Sequence, residues 1–216
     1  VGEPLSCKVV AQIIQGARPA RIITVDLHNK ATLGFFDTPI VELSAKPLLL
    51  EYFRNKIAGS HGRTRGSAPT GANNYVVVAP DAGAVKNSTE FAMDLGVDVV
   101  YMDKKRDLES GEVRVVGMSG EVRDRDILMI DDNVFTGSTL LATAKELKKA
   151  GAKTIRVGLT HHLYVPGVQE KIEGSEIDEI VVTDTVMTET RLQTPESSGG
   201  KLKILSVAGM IAQELI

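Results

Sequence analysis

Short runs of valine and isoleucine alternate along this chain with segments whose apolar residues recur every three or four positions. Val9, Val10, Ile13 and Ile14 fall at helical spacing, "GARPA" breaks the pattern, and the strand "RIITVDL" follows. A second helix is predicted over "AKPLLLEYFRNKIA", with Pro47 tolerated in its first turn. The next segment, "GSHGRTRGSAPTGANN", has almost nothing to bury and reads as a flexible surface loop. A regular rhythm then sets in: strand "YVVVAP", helix "VKNSTEFAMDLG", strand "VDVVYM", a charged segment "DKKRDLESGE" and strand "VRVVGM". It continues with strand "DILMID", helix "GSTLLATAKELKKAG", strand "TIRVGLTH", a helix near "VQEKI" and strand "EIVVTDT". A polar stretch, "ETRLQTPESSGG", precedes a closing helix around "SVAGMIAQELI".

Near-continuous valine and isoleucine strands alternating with amphipathic helices predict an α/β fold, a parallel twisted sheet covered by helices on both faces. At 216 residues and 43% hydrophobic content the chain can bury a sizeable core. The net charge of −3, with lysine and arginine scattered, gives no electrostatic footprint for nucleic acid or an anionic membrane. No apolar run approaches the roughly 18 residues that a spanning helix needs, so the expected compartment is the cytoplasm. The single cysteine, Cys7, has no partner for an intrachain disulfide and no ligands at metal spacing.

The stretch that carries chemistry is "ILMIDDNVFTGST", where a buried strand ends on Asp131 and Asp132 and runs into a small, hydroxyl-rich turn. Ligands of open α/β sheets sit beyond the carboxyl ends of the strands, where loops lead into helix N-termini. The turn "TGST" can aim backbone N–H groups at an anion, Gly137 permits close approach, and Thr136, Ser138 and Thr139 add hydroxyl donors. Asp131 and Asp132 suit neutral hydroxyls as acceptors, and ribose supplies a vicinal pair. Together they read as a cradle for ribose 5-phosphate. The bland alternative is that the aspartates end a strand while the serine and threonines cap the helix.

With these residues in view, the chain resembles the ribose-phosphate diphosphokinase family, the phosphoribosyl pyrophosphate (PRPP) synthetases, which have the type I phosphoribosyltransferase fold. The resemblance rests on "EPLSCKVVAQII", "RIITVDLH", "GFFDTPIVELSAKPLL", "VVVAPDAGAVKNSTEFA", "MDKKRD", "ILMIDDNVFTGSTL", "AKTIRVGLTHHL", "EIVVTDTV" and "KILSVAGMIAQEL", in that order. It implies transfer of the diphosphoryl group of ATP to the 1-hydroxyl of ribose 5-phosphate with Mg²⁺, giving PRPP and AMP. It also implies a dimer-based homo-oligomer, with a hexamer as one form. Family members carry a further segment before "EPLSCK" that clasps ATP, so the chain reads as N-terminally truncated. Residues 1–40 then form the C-terminal part of a first phosphoribosyltransferase-like domain, and 41–216 a second that carries the ribose 5-phosphate site.

His28 closes "VDLH", where a neutral imidazole can ligate a metal or orient a triphosphate oxygen, and the resemblance gives it to the Mg-ATP unit. Asp81 in "APDAG" is a Mg²⁺ ligand near the ribose phosphate by resemblance, and by composition alone a helix N-cap. Lys104 and Arg106 lie in a charged run that otherwise reads as a solvated hairpin or loop. By resemblance they are the catalytic cations of a mobile loop, supplied to the charge that develops during transfer. The pattern also departs from the family. Phe135 stands where Asp or a small hydroxyl residue is usual, Ala84 where a second glycine is common, and Asn87 where a basic residue is frequent. Two alternatives stay open: a PRPP-consuming phosphoribosyltransferase, which shares the cradle, and a non-catalytic associated subunit that keeps the fold.

Overall fold

The computed structural model describes residues 6–59, 74–106, 113–187 and 200–215, with 104–106 and 113–116 described by backbone alone. The loop expected at 59–74, the polar stretch at 189–200 and the tip of the charged segment at 107–112 lie outside these residues but for their ends. The chain divides into two compact units. One comprises the residues up to Ala45 together with those from Ser206 on, and the other is Lys46–Leu205.

In the first unit, helix α1 (Ser6–Gly16) is followed by β1 (Ile22–Val25), a 3₁₀ helix (Lys30–Phe35) and β2 (Ile40–Leu43). Strands β1 and β2 pair in parallel, Ile22 opposite Ile40 and Val25 opposite Leu43. Gln15 ties α1 to the residues just ahead of β2. Its amide donates to the carbonyl of Phe35, and its Oε1 accepts from the N–H groups of Asp37 and Thr38. Ala11 is buried, whereas Val9, Val10, Ile13 and Ile14 on the same helix are exposed.

The second unit is built on a seven-stranded sheet. Its strands are β3 (Tyr75–Ala79), β4 (Asp98–Arg106), β5 (Val113–Met118), β6 (Asp126–Val134), β7 (Thr154–His162), β8 (Glu179–Thr183) and β9 (Leu202–Leu205). They stand in the order β5-β4-β3-β6-β7-β8-β9. All neighbours are parallel except β4 and β5, which pair antiparallel. The expected parallel sheet therefore carries an antiparallel edge. The connection from β4 to β5 is too short for the crossover that a parallel pair needs.

Helices cover both faces. On one lie α2 (Lys46–Gly59) and α3 (Val85–Leu95), and on the other α4 (Ser138–Lys149) and α5 (Val168–Glu173). Side chains of a strand alternate between the two faces. Val77, Leu128 and Ile130 accordingly meet Leu49, Phe53 and Phe91, while Val76, Ile127 and Met129 meet Ala144 and Leu147. Gly158 on β7 makes room for α2, since a Cβ there would lie 2.9 Å from Phe53 and 3.0 Å from Ile130. The last helix, α6 (Ala208–Gln213), expected in the second domain, groups with the first unit. No helix among the described residues is long and apolar enough to cross a membrane.

The amino ends of the central strands are closed by charge. Arg156 lies 3.4 Å from Asp126 and 3.7 Å from Glu179, and its side chain is 15% exposed against 11% for each acid. Glu179 also accepts from the Tyr52 hydroxyl and pairs with Lys56. Burial pushes the Asp126 carboxyl up, but hydrogen bonds from Thr154 and Asn74 and the charge of Arg156 outweigh it and hold the group below its ordinary value. Arg156→Ala takes the cation from Asp126, while Glu179 keeps Lys56, and should cost about 3 kcal/mol in urea unfolding. A loss under about 1 kcal/mol would show that water already neutralises that carboxylate.

His162 ends β7 fully buried, its Nδ1 accepting from the Tyr164 N–H at 2.8 Å and its ring stacked on Tyr164 at 4.1 Å. Burial pushes the imidazole down to about 4, against a raising contribution from Gln169. Between about pH 6.5 and pH 4 the unfolded chain binds a proton that the folded chain refuses. This stabilisation is complete above pH 6.5 and is lost as pH falls through 4, by about 3 kcal/mol in all. His162→Gln should flatten that part of the pH dependence of the urea midpoint, and an unchanged slope would refute the assignment.

Candidate functional site

The order of strands places the site. The chain runs from β3 through α3 to β4 on one side of the sheet, and from β6 through α4 to β7 on the other. The direction of winding thus reverses between β3 and β6, and a crevice opens outside their carboxyl ends. Asp81 follows β3 there, and the segment Asp131–Thr139 follows from β6.

At the β6 end, residues 135–137 connect directly to α4. Gly137 has φ 70° and ψ 0°, a left-handed conformation that non-glycine residues rarely adopt, and it stands at the N-cap with no side-chain hydrogen bond. The first turn of a helix leaves N–H groups without intrahelical partners. Here the hydroxyls cap them only in part, the Ser138 N–H reaching the Thr136 Oγ1 at 3.5 Å. Thr136 and Ser138 also hydrogen-bond each other, Oγ1 to Oγ at 3.1 Å, and Thr143 bonds back to the carbonyl of Thr139. Thr136, Ser138 and Thr139 are exposed and line a cleft of about 200 Å³ together with Asp131, Asn133 and Phe135. The N–H groups and the helix dipole make its floor attractive to an anion.

Gly137 serves the cleft differently from the close approach expected of it. A Cβ there would face Val134 and Val168 at 3.6 Å and Leu141 at 3.8 Å, in ordinary contact on the apolar side. It is the positive φ that demands glycine.

Negative charge gathers beside this floor. Asp131 accepts from the Asp132 N–H at 2.8 Å, and Asp132 accepts from the Asn133 amide at 3.0 Å. Desolvation first, then a hydrogen bond with Asp132 and the charges of Asp132 and Asp81, push the Asp131 carboxyl up to about 6, against the lowering effect of the backbone bond. The structure therefore brings Asp81 into the field of Asp131. Asp81 is exposed, and its carboxylate accepts from the Ala84 N–H at 3.1 Å. Helix α3 starts only at Val85, so Asp81 closes the turn before the helix rather than serving as its N-cap.

Hard carboxylate oxygens gathered so that Asp132 and Asp81 push the Asp131 carboxyl up suit a divalent cation, which would relieve the repulsion. Among the described residues no three His, Cys, Asp or Glu side chains form a metal cluster by themselves.

The remaining expected residues lie elsewhere. Lys104 and Arg106 are on β4, opposite Val115 and Val113 of β5, so their backbone is a ladder extended beyond the sheet's parallel part. A β-bulge between Asp103 and Lys104 marks the change. A second cavity of about 480 Å³ lies at the root of this hairpin, between Asp81, Tyr101, Met118 and Ser119. His28 is an exposed residue of the first unit, three positions past β1. Sequence reasoning missed Asn133 and Leu159 in the cleft wall. The alternation of strand side chains puts Asn133 on the face of Asp131, and that signal was there to be read.

A model of the phosphoribosyl transferase domain matches residues 53–189. Curated relatives include the ribose-phosphate pyrophosphokinases of Ralstonia nicotianae, 35% identical across 97% of this chain and 60% of theirs, and of Thermotoga maritima, 34% identical across 99% and 62%. The chain thus spans about 60% of the length of the relatives it matches. Among solved structures, the phosphoribosylpyrophosphate synthetase from Mycobacterium smegmatis matches with a TM-score of 0.78 at 29% identity, over 100% of this chain and 64% of that one.

Gly137→Ala tests the cradle. A Cβ has room but the backbone conformation costs about 1 kcal/mol or more, so the turn should shift and its N–H groups lose their common aim. Calorimetry with inorganic phosphate should show affinity reduced about tenfold or more in the folded variant. Undiminished affinity would place the anion elsewhere.

Proposed function

The chain belongs to the phosphoribosyl transferase domain family, and from that premise we propose that it takes part in making PRPP from ribose 5-phosphate and ATP. The observation that carries this reading is the helix start at Gly137 beside the Asp131 carboxylate in one cleft. The 5-phosphate accepts from the N–H groups and hydroxyls of Thr136, Ser138 and Thr139, and the aspartates accept from the ribose hydroxyls. Held so, the 1-hydroxyl faces the crevice toward Asp81 and the hairpin of β4 and β5.

Mg²⁺ fits Asp81 beside the ribose phosphate, and His28 for the Mg-ATP unit. When bound, the ion supplies positive charge to the phosphoryl oxygens and draws the reactants into register. Lys104 and Arg106 add cations from β4 to the charge that develops between the attacking hydroxyl and the departing AMP. Supporting the synthetase over a PRPP-consuming enzyme are the cations on that strand and the named relatives, all ribose-phosphate pyrophosphokinases. The same reading includes a cytoplasmic, dimer-based homo-oligomer.

The experiment follows AMP and PRPP with Mg-ATP and ribose 5-phosphate, in the wild type and in Lys104→Ala. Turnover should fall about a hundredfold or more in the variant while ribose 5-phosphate affinity, read by calorimetry, barely moves. A loss confined to affinity would remove Lys104 from the transfer step. Ribose 5-phosphate binding by the wild type without AMP release would leave a phosphosugar-binding protein and overturn the synthetase.

A further inference from the structure

Phe135 has no part in holding an anion, yet it stands in the cradle. It follows Val134 at the end of β6, lines the cleft beside Asp131 and Thr136, and is 60% exposed. The aromatic rings in the core behave otherwise: Phe53 is 0% and Phe91 1% exposed, packed edge to face at 6.2 Å. A ring left in water contributes little to folding and gains by being covered. Nothing on phenylalanine can donate to a phosphate or accept from a hydroxyl.

The cleft has two kinds of wall. Asp131, Asn133, Thr136, Ser138 and Thr139 are polar, while Val134, Leu140 and Leu159 add apolar lining to Phe135. A pentose ring has the matching division, a rim of hydroxyls and a face of C–H groups. We propose that Phe135 is the platform on which the sugar ring of a phosphorylated pentose rests, so that the cleft selects cyclic sugar phosphates over other phosphate monoesters. The inference rests on the ribose 5-phosphate reading above and adds a division of labour to it. The helix start reads the phosphate, the aspartates read the hydroxyls, and Phe135 reads the ring.

This division can be dissected with three ligands. Inorganic phosphate needs only the floor. Glycerol 3-phosphate adds hydroxyls without a ring. Ribose 5-phosphate adds both. Calorimetry on the wild type, Phe135→Ala and Phe135→Tyr should give a ribose 5-phosphate affinity about tenfold weaker in the alanine variant and restored in the tyrosine variant. Phosphate and glycerol 3-phosphate should change by less than about twofold in both. The thermal midpoint should hold, because the side chain is mostly exposed. Unchanged ribose 5-phosphate affinity in Phe135→Ala overturns the platform and leaves the functional reading standing. An equal loss for all three ligands overturns it too, since Phe135 would then be shaping the loop. A wild type that binds phosphate but not ribose 5-phosphate defeats the functional reading itself, and this inference with it.

Discussion

A helix that begins on a left-handed glycine, which has no side chain of its own to cap it, leaves first-turn N–H groups short of intrahelical partners, and the carboxyl edge of this sheet is organised around that fact. Ordinary helices satisfy those groups with a serine, threonine or aspartate at the N-cap. Here Thr136 and Ser138 bond each other, and the Thr136 Oγ1 takes the Ser138 N–H only at 3.5 Å. The nearby carboxylates compound the demand. Asp131 is pushed up to about 6 by desolvation and by its neighbours Asp132 and Asp81, a field that hydroxyl donors or a cation would relieve.

Holding such a site open requires a rigid support, and the sheet supplies it. Strand β6 is central, paired with β3 and β7, and its residues Ile127 to Ile130 feed both apolar cores alternately. Tight packing of α2 against Gly158 fixes β7 beside it. At the far end of the strands Arg156 joins Asp126 and Glu179, so charge there is compensated by a cation.

Much of this was legible in the chain. Runs such as "YVVVAP" and "DILMID" can be little else than buried strands, and the helices between them kept their expected places. The turn from β6 into α4 could be read because its glycine and hydroxyl residues follow an apolar run. Strands β2 and β9 were not legible: each is four residues, too short for a period to show. The charged run at Lys104 hid a strand because a ladder extending past the core needs no apolar alternation. Gly137 was read for the right residue and the wrong reason, since sequence gives no φ, and the direction of a missing Cβ follows only from the backbone.

The central claim is that the turn into α4 holds the phosphate of a pentose. A crystal structure of the protein with ribose 5-phosphate tests it most directly. The account predicts the phosphate at the backbone N–H groups and hydroxyls of Thr136–Thr139, the ribose hydroxyls on Asp131 and Asp132, and Gly137 still at positive φ. A phosphate bound away from that turn, or a sugar whose hydroxyls leave both aspartates untouched, would contradict it.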